Sequence, residues 1–339
     1  TIAKAALIPS VLYYLTLLAI IHLEAVSKNM GTLPPELVPS AASVLRRLYY
    51  LFPLVFLITI LLMGRSVIAC AYYGTVCIVI LSMIRSETRF TFKRLCGALE
   101  LSAKNAMMVS SCCACAGIII GVISLTGIGY KFINVITALA GSNLLLLMAM
   151  LMVTCIILGM GMPVPAAYVL TATLAAPALL EFKFSLMSAH LFIVYFSAIS
   201  AITPPVAVAA YAAAGISEGD PNATGVQAVR LAVAAYIVPF VFMYRPALIL
   251  DGSLPEILWT AVVATAAVYS FASGLEGYLH GRLRFPLRLA LMAAGVVFVW
   301  PDTWADLTGF AILGAVTAHQ YAIRKNNPDP VCLAQPQGE

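Results

Sequence analysis

Two clusters of glycine and proline interrupt the most apolar part of this sequence. The first is Gly159-Met-Gly-Met-Pro-Val-Pro165, and the second is Thr203-Pro-Pro205. A proline inside a helix lacks the N–H that would bond the carbonyl four residues earlier, so each cluster is expected to leave carbonyl oxygens without helical partners. Inside a bilayer such oxygens are costly unless protein, water or an ion satisfies them. The carbonyls predicted to be free are those of Gly159, Gly161, Ser200 and Ala201.

Uncharged oxygens at interrupted helices are the ligands with which secondary transporters hold a cation. We therefore predict a Na⁺ site at the two breaks, in which the Thr203 hydroxyl assists the carbonyls. The half-helices that begin near Ala166 and Val206 would direct free N–H groups and positive dipole ends at a carboxylate. The alternative is that the prolines only kink ordinary spans, since Pro and Gly are common in membrane helices. The predicted Na⁺ ligands are Gly159, Ser200, Thr203 and Val206.

Membrane-spanning helices are the elements that would position these breaks. Of the 339 residues, 62% are hydrophobic and 10% are charged, which leaves too little polar surface to coat a water-soluble globule. Apolar stretches longer than 18 residues recur, as in bilayer-spanning helices. The sequence predicts an all-α polytopic membrane protein and excludes soluble enzymes and nucleic-acid readers. Enzyme chemistry is not indicated either. The sequence has no carboxylate pair, nucleophile with its base or phosphate-binding glycine loop in a context that would support it.

The longest uncharged stretch, positions 132–180, is more than twice the roughly 20 residues that one crossing needs. It must fold back, and the first break is the place to do so, which predicts a re-entrant hairpin over 132–181. A discontinuous helix over 186–215, interrupted at the second break, is predicted to follow. Lysines and arginines place 85–104 and 217–230 on the cytoplasmic side, but this count fits a re-entrant hairpin and two full crossings equally well.

The segments around both breaks carry a resemblance to a known family. They are similar to the large permease of tripartite ATP-independent periplasmic (TRAP) transporters, in particular to fused permeases of the TAXI type. The likeness covers nearly the whole chain. The segments that carry it most clearly are Leu158–Pro163, Ala166–Tyr168, Ala189–Phe192, Ile202–Val206 and Ala209–Gly215.

The resemblance implies a Na⁺-driven, elevator-type importer of small organic anions, chiefly carboxylates. It implies a location in the bacterial inner membrane, with lipid around the helices, Na⁺ as the coupling ion and a periplasmic binding protein of the TAXI type as the partner. In that family the second hairpin and the unwound helix build one Na⁺ site and half of the substrate site. The substrate-binding residues implied here are Gly161, Met162, Pro163, Ala166, Pro204 and Pro205.

The family's first hairpin, with its Ser-Gly-Ser-Ser tip, would precede Thr1. The resemblance therefore implies the C-terminal portion of a longer permease, with one half of an inverted repeat complete, which would not transport alone. The predicted parts are scaffold spans with a surface amphipathic helix (1–104), half of a transport domain (105–216), C-terminal spans (217–323) and a cytoplasmic tail (324–339).

Cys112, Cys113 and Cys115 leave open a different class, a metal-handling or redox membrane protein, because thiolates bind soft metals. Adjacent cysteines on a helix point about 100° apart, so buried thiols that pack as small residues are the preferred interpretation. A non-transporting scaffold and a channel are further alternatives.

Three polar residues near apolar stretches are not expected to act in chemistry. His190, the only histidine deep in such a stretch, is expected to hydrogen-bond a neighbouring helix rather than to relay protons or contact substrate. Asp306 follows Asp302 in a loop that contains tryptophan, and it is expected to be solvated at the interface. Glu276, at the edge of a span, is expected to be interfacial.

Overall fold

α-Helices form nearly all the regular structure in the computed structural model of this protein, which describes residues 2–28, 30–31, 38–83, 89 and 91–326. These residues contain no β-strand, and the predicted all-α polytopic membrane fold is confirmed. The helices are α1 (Ile2–Ala5), α2 (Leu7–Ser27), α3 (Ala41–Arg47), α4 (Phe52–Leu62), α5 (Val67–Ser82), α6 (Phe92–Thr126), α7 (Ile128–Ala140), α8 (Leu144–Gly159), α9 (Val164–Glu181), α10 (Leu186–Ile199), α11 (Val208–Ser217), α12 (Pro221–Leu231), α13 (Val233–Tyr244), α14 (Leu254–Glu276), α15 (Phe285–Val297) and α16 (Thr303–Asn326).

Six helical stretches in the described part of the chain are long and apolar enough to cross a membrane, judged by length and composition. Short 3-10 helices at Leu48–Leu51, Ser200–Ile202 and Pro246–Ile249 continue or connect the α-helices. The six stretches are Ile2–Ser27, Ala41–Leu62, Phe92–Ile123, Val164–Glu181, Pro221–Tyr244 and Leu254–Glu276.

Helix starts follow from local side-chain chemistry. The Asp220 side chain accepts a hydrogen bond from the Ala223 N–H at 2.7 Å, which satisfies one of the free amides in the first turn of α12. Ser253 and Glu256 form a capping box at the start of α14. Gly277, with φ +70°, ends α14 in the left-handed conformation that glycine adopts without steric cost.

The chain divides into two compact units, one formed by 31–110 and the other by the segments before and after it. In the 31–110 unit, α4 and α5 pack against each other as a tight hairpin. Gly74 on α5 permits this packing, because a Cβ built there would lie 3.3 Å from the Leu57 Cδ1 atom.

α6 contains both a charged segment and an uncharged segment. It runs from Phe92 to Thr126 without a break, so the described part of the predicted surface helix continues directly into the uncharged stretch that begins at Asn105. Positions 85–88 and 90 of that surface helix, and positions 327–339 of the predicted tail, lie outside the described residues.

The larger unit has its core where α8, α9, α10 and α13 meet. The rings of Phe192 and Phe196 are 4.7 Å apart, and that of Phe240 lies 5.7 and 6.0 Å from them. Both Phe192 and Phe196 are fully buried. Such aromatic clusters add directional ring contacts to the burial of apolar area, so they hold α10 against α13 just before the second break.

A turn at Gly141-Ser142-Asn143 divides the long uncharged stretch a second time. Gly141 has φ +56°, and the Asn143 side chain accepts from the Leu146 N–H at 3.1 Å to begin α8. The predicted hairpin over 132–181 therefore comprises α7, this turn, and the paired helices α8 and α9. The turn was readable from its Gly-Ser-Asn sequence, since glycine and asparagine favour turns and caps.

The expectation that Asp306 is solvated is wrong. Its carboxylate accepts from both terminal nitrogens of Arg245, with Nη1 at 3.1 Å, and from the Trp259 indole N–H at 3.0 Å. The exposed fractions of the Arg245 and Asp306 side chains are 8% and 6%. Sequence proximity to Trp304 indicated an interface, whereas the fold turns this first-turn position of α16 towards the end of α13.

Glu276 is the last residue of α14, at the edge of a span, and 3% of its side chain is exposed. Its Oε2 atom accepts from Arg230 on α12 at 3.0 Å. On the same helix, Gln227 donates to Glu24 of α2, which also pairs with Lys28. Ionic and amide contacts thus connect α2, α12 and α14.

Close packing of α14 against α15 depends on glycine. A Cβ built on Gly295 would lie 2.7 Å from the Phe271 Cβ atom and 2.8 Å from the Ala267 carbonyl oxygen. Gly295→Ala is therefore expected to lower the free energy of unfolding by about 1–3 kcal/mol, because the backbones must separate. Thermal unfolding in detergent measures this effect. Gly314→Ala on α16, where nothing lies within 4 Å, is the matched control, and equal melting temperatures for the two variants would contradict the prediction.

Candidate functional site at two helix breaks

The first break is a four-residue tip between α8 and α9. α8 ends at Gly159. Pro163 precedes α9, which begins at Val164, two residues before the predicted start near Ala166. Gly161 has φ +76°, a conformation that strains any residue with a Cβ. The chain thus turns at this glycine- and proline-rich segment, and α8 and α9 pack against each other.

The second break interrupts the helix that begins as α10. After the 3-10 turn at Ser200–Ile202, Thr203 is extended and the Pro204–Pro205 peptide bond is cis. Ala207 is left-handed, with φ +34°, and α11 begins only at Val208, two residues after the predicted start near Val206. The segment predicted as a discontinuous helix over 186–215 thus has helix on both sides of an irregular stretch at 203–207.

The two breaks lie against each other. A Cβ built on Gly159 would be 2.6 Å from the Ser200 Oγ atom and 3.0 Å from its Cβ atom. A Cβ built on Gly161 would be 3.6 Å from the Val206 Cγ1 atom. The hairpin tip therefore reaches the interrupted helix on both sides of Thr203, and all four predicted Na⁺ ligands belong to these adjoining segments.

The carbonyls predicted to be free divide into two groups. The Gly159 and Ser200 oxygens accept turn hydrogen bonds, from the Met162 N–H at 3.3 Å and the Thr203 N–H at 3.4 Å, so the prediction that they lack partners is wrong. Tight turns let an N–H three residues ahead replace the one that proline lacks. In the described chain no hydrogen bond reaches the carbonyls of Gly161 and Ala201, as predicted.

The Thr203 carbonyl accepts a hydrogen bond from the Ala207 N–H at 3.2 Å. The Thr203 hydroxyl also makes hydrogen bonds. The Oγ1 atom lies 2.8 Å from the Ile199 carbonyl and 2.9 Å from the Tyr236 hydroxyl of α13. A carbonyl has two lone pairs, so an oxygen that accepts one hydrogen bond still has a second lone pair for a cation. These hydrogen bonds orient the predicted ligand oxygens and leave each carbonyl oxygen a lone pair that can bind a cation.

Hydroxyl groups continue from the breaks into the core. Ser200 donates to the Ser197 carbonyl at 2.7 Å, and the Ser197 and Thr171 hydroxyls are 3.0 Å apart. All three side chains are fully buried. Paired hydroxyls are tolerated in an apolar interior because each one satisfies another.

The residues predicted to bind substrate differ in access. Gly161 and Pro205 are exposed, while Met162, Pro163 and Pro204 are half-buried. Ala166 is fully buried, so its side chain does not line an open surface. Its backbone N–H belongs to the first turn of α9, whose amides lack intrahelical acceptors.

Two tyrosines at the second break were not predicted as site residues. Tyr211 on α11 donates to the Pro205 carbonyl at 2.8 Å, and Tyr236 contacts Thr203. Tyr211 follows Pro205 by less than two helical turns, so its proximity was a signal in the sequence. No local pattern relates Tyr236 to Thr203, because α13 reaches the break only through the tertiary fold.

His190 hydrogen-bonds a neighbouring helix, as expected. Its Nδ1 atom lies 2.9 Å from the Tyr168 hydroxyl of α9. The pair borders a cavity of about 280 Å³ whose other lining residues are Ile2, Leu186, Met187, Leu191 and Val194.

The cysteines differ from the expectation of buried small residues. Cys70 and Cys155 are buried, but Cys96, Cys113 and Cys115 are exposed on the protein surface. In the part of the chain that the structure describes, no three His, Cys, Asp or Glu residues lie close enough to hold a metal ion. Cys332 is outside the described residues.

The fold and the adjoining breaks define a polytopic α-helical membrane protein with a helical hairpin set against an interrupted helix. The model of the family "Tripartite ATP-independent periplasmic transporter, DctM component" matches residues 1–257, and the chain belongs to this family of TRAP transporter permeases. It is therefore a transport protein rather than an enzyme, of a family that works with a periplasmic substrate-binding protein. No curated protein and no solved structure matches the chain significantly.

Proposed function

We propose that this chain is a TAXI-type permease component that imports small organic anions, carboxylates, together with Na⁺ across the bacterial inner membrane. A TAXI-type periplasmic protein delivers the substrate. The observation that carries the proposal is the contact of the hairpin tip with the interrupted helix, at Gly159 against Ser200. Two segments of irregular backbone meet there, which is how secondary transporters assemble ion and substrate sites.

Na⁺ binds uncharged oxygens at this contact, namely the carbonyls of Gly159, Ser200, Thr203 and Val206 and the Thr203 hydroxyl. Because the first three carbonyls each accept one N–H, their remaining lone pairs have defined directions. The bound cation holds the tip against the second break. It thereby links Na⁺ occupancy to the geometry of the substrate site.

The carboxylate binds beside Na⁺, between Gly161 to Pro163 on one side and Pro204 to Pro205 on the other. The first turns of α9 and α11 direct amides and positive dipole ends at the anion, which favours a negative charge there. The loaded hairpin and interrupted helix then cross together against a scaffold, in an elevator movement.

Thr203→Ala tests the Na⁺ assignment. It removes one ligand oxygen and is expected to raise the Na⁺ concentration for half-maximal uptake by about 10-fold, as for loss of a contact to a charged group. The measurement is radiolabelled carboxylate uptake into proteoliposomes that contain the complete transporter and its binding protein. Thr173→Ala on α9 is the matched control, because that hydroxyl also donates within its own helix, at 2.7 Å to Leu170. Unchanged Na⁺ dependence in Thr203→Ala, with Pro204→Ala also unaffected, would reject the site.

A further inference from the structure

The hydrogen bonds at Thr203 determine which group donates each proton. The threonine hydroxyl has one proton, and the Ile199 carbonyl, 2.8 Å from Oγ1, can only accept. The Thr203 proton therefore points to Ile199. It follows that the Tyr236 hydroxyl, 2.9 Å away, donates its own proton to Thr203 Oγ1.

The Thr203 Oγ1 atom has two lone pairs, and one of them accepts the tyrosine proton. The hydrogen bonds to Ile199 and Tyr236 together set the rotation of the threonine side chain. The remaining lone pair has a single direction. A cation ligand with a predetermined direction binds more tightly than a hydroxyl that must reorient, because less ordering accompanies binding.

Tyr236 is itself held in place. Its ring centroid lies 6.4 Å from that of Phe196, the fully buried aromatic residue that precedes the break on α10. α13 carries Tyr236 in its first half. Arg245, the residue that follows its last helical residue, pairs with the buried Asp306. The tyrosine hydroxyl is thus presented to Thr203 by a helix anchored outside both breaks.

We propose that Tyr236 is a positioning residue for the Na⁺ site: its hydroxyl donates to Thr203 Oγ1 and directs the free lone pair of that atom at the ion. This inference rests on the proposed function, because it assumes that Na⁺ binds at Thr203. It assigns to α13 a part in ion binding through Thr203, without direct contact with the ion.

The test is a Na⁺ titration of the purified full chain in detergent. NaCl replaces choline chloride at constant ionic strength, and the rise in melting temperature reports binding of Na⁺ alone. Tyr236→Phe removes only the hydroxyl and is expected to raise the half-maximal Na⁺ concentration by about 3- to 10-fold, the effect of one neutral hydrogen bond. Tyr269→Phe, at a half-buried tyrosine of α14, is expected to titrate like the wild type.

A double-mutant cycle distinguishes positioning from a general structural role. In a Thr203→Ala background, Tyr236→Phe is expected to cause no further change, whereas in Thr203→Ser the several-fold effect persists. If Na⁺ stabilises the wild type and Tyr236→Phe lowers the melting temperature without moving the titration midpoint, the positioning role is overturned and the Na⁺ site stands. If Na⁺ does not stabilise the wild type, the proposed Na⁺ site fails, and this inference fails with it.

Discussion

Asp306→Ala is expected to lower the free energy of unfolding by about 3–5 kcal/mol, because it leaves the Arg245 guanidinium buried without its counter-charge. The carboxylate is held by both terminal nitrogens of Arg245 and by the Trp259 indole, so one substitution removes three hydrogen bonds. The Arg245 Nη2 group would retain only the Trp300 carbonyl. Thermal or denaturant unfolding in detergent measures the loss.

A double variant separates the charge effect from packing. Arg245→Met with Asp306→Leu replaces the ion pair by apolar side chains, and it is expected to recover most of the lost stability, since a buried pair can often be exchanged for apolar residues at little cost. Asp302→Ala, at the exposed aspartate just before α16, is the matched single control. If Asp306→Ala were no less stable than Asp302→Ala, the buried ion pair between Arg245 and Asp306 would not be stabilising.

Gly159→Ala is expected to slow Na⁺-dependent uptake by about 10-fold or more. The new methyl group would lie 2.6 Å from Ser200 Oγ and 3.0 Å from its Cβ atom, so the hairpin tip and the second break must separate. Overpacking of this kind costs about 1–3 kcal/mol, and here the strain falls on the proposed ligands themselves. Uptake by the complete transporter in proteoliposomes, measured against NaCl concentration, reports the change.

A second substitution, at Ser200, can make room for the methyl group that Gly159→Ala adds. Ser200→Gly removes the side chain that the alanine would meet, so the double variant Gly159→Ala with Ser200→Gly is expected to regain much of the uptake. Gly215→Ala on α11 controls for loss of a glycine, because nothing lies within 4 Å of a Cβ at that position. Wild-type uptake by Gly159→Ala would show that the two breaks need not touch during transport.

The breaks themselves were predictable because they are local. Gly161 and Pro163 at the hairpin tip, and Pro204 and Pro205 in the interrupted helix, act through their own backbone, so the sequence shows where helices must end. The turn at Gly141 to Asn143 is equally local, but charge does not reveal it, because the residues on both sides of it are uncharged. The prediction that the Gly159 and Ser200 carbonyls lack partners is wrong, because it rests on the hydrogen-bond spacing of an α-helix, whereas a tighter turn forms at each of them.

The sequence by itself determined that this is an all-α membrane protein with two breaks in its apolar stretches, because hydrophobicity, glycine and proline act within a few residues. Only the tertiary structure decided that the interruptions adjoin, that Tyr236 donates to Thr203, and that Asp306 is buried beside Arg245. These pairs are separated by 33 residues or more, as at Thr203 and Tyr236, and by 61 at Arg245 and Asp306. Their contacts depend on how whole helices pack, and no periodicity in the sequence records the direction in which a distant helix presents its side chains.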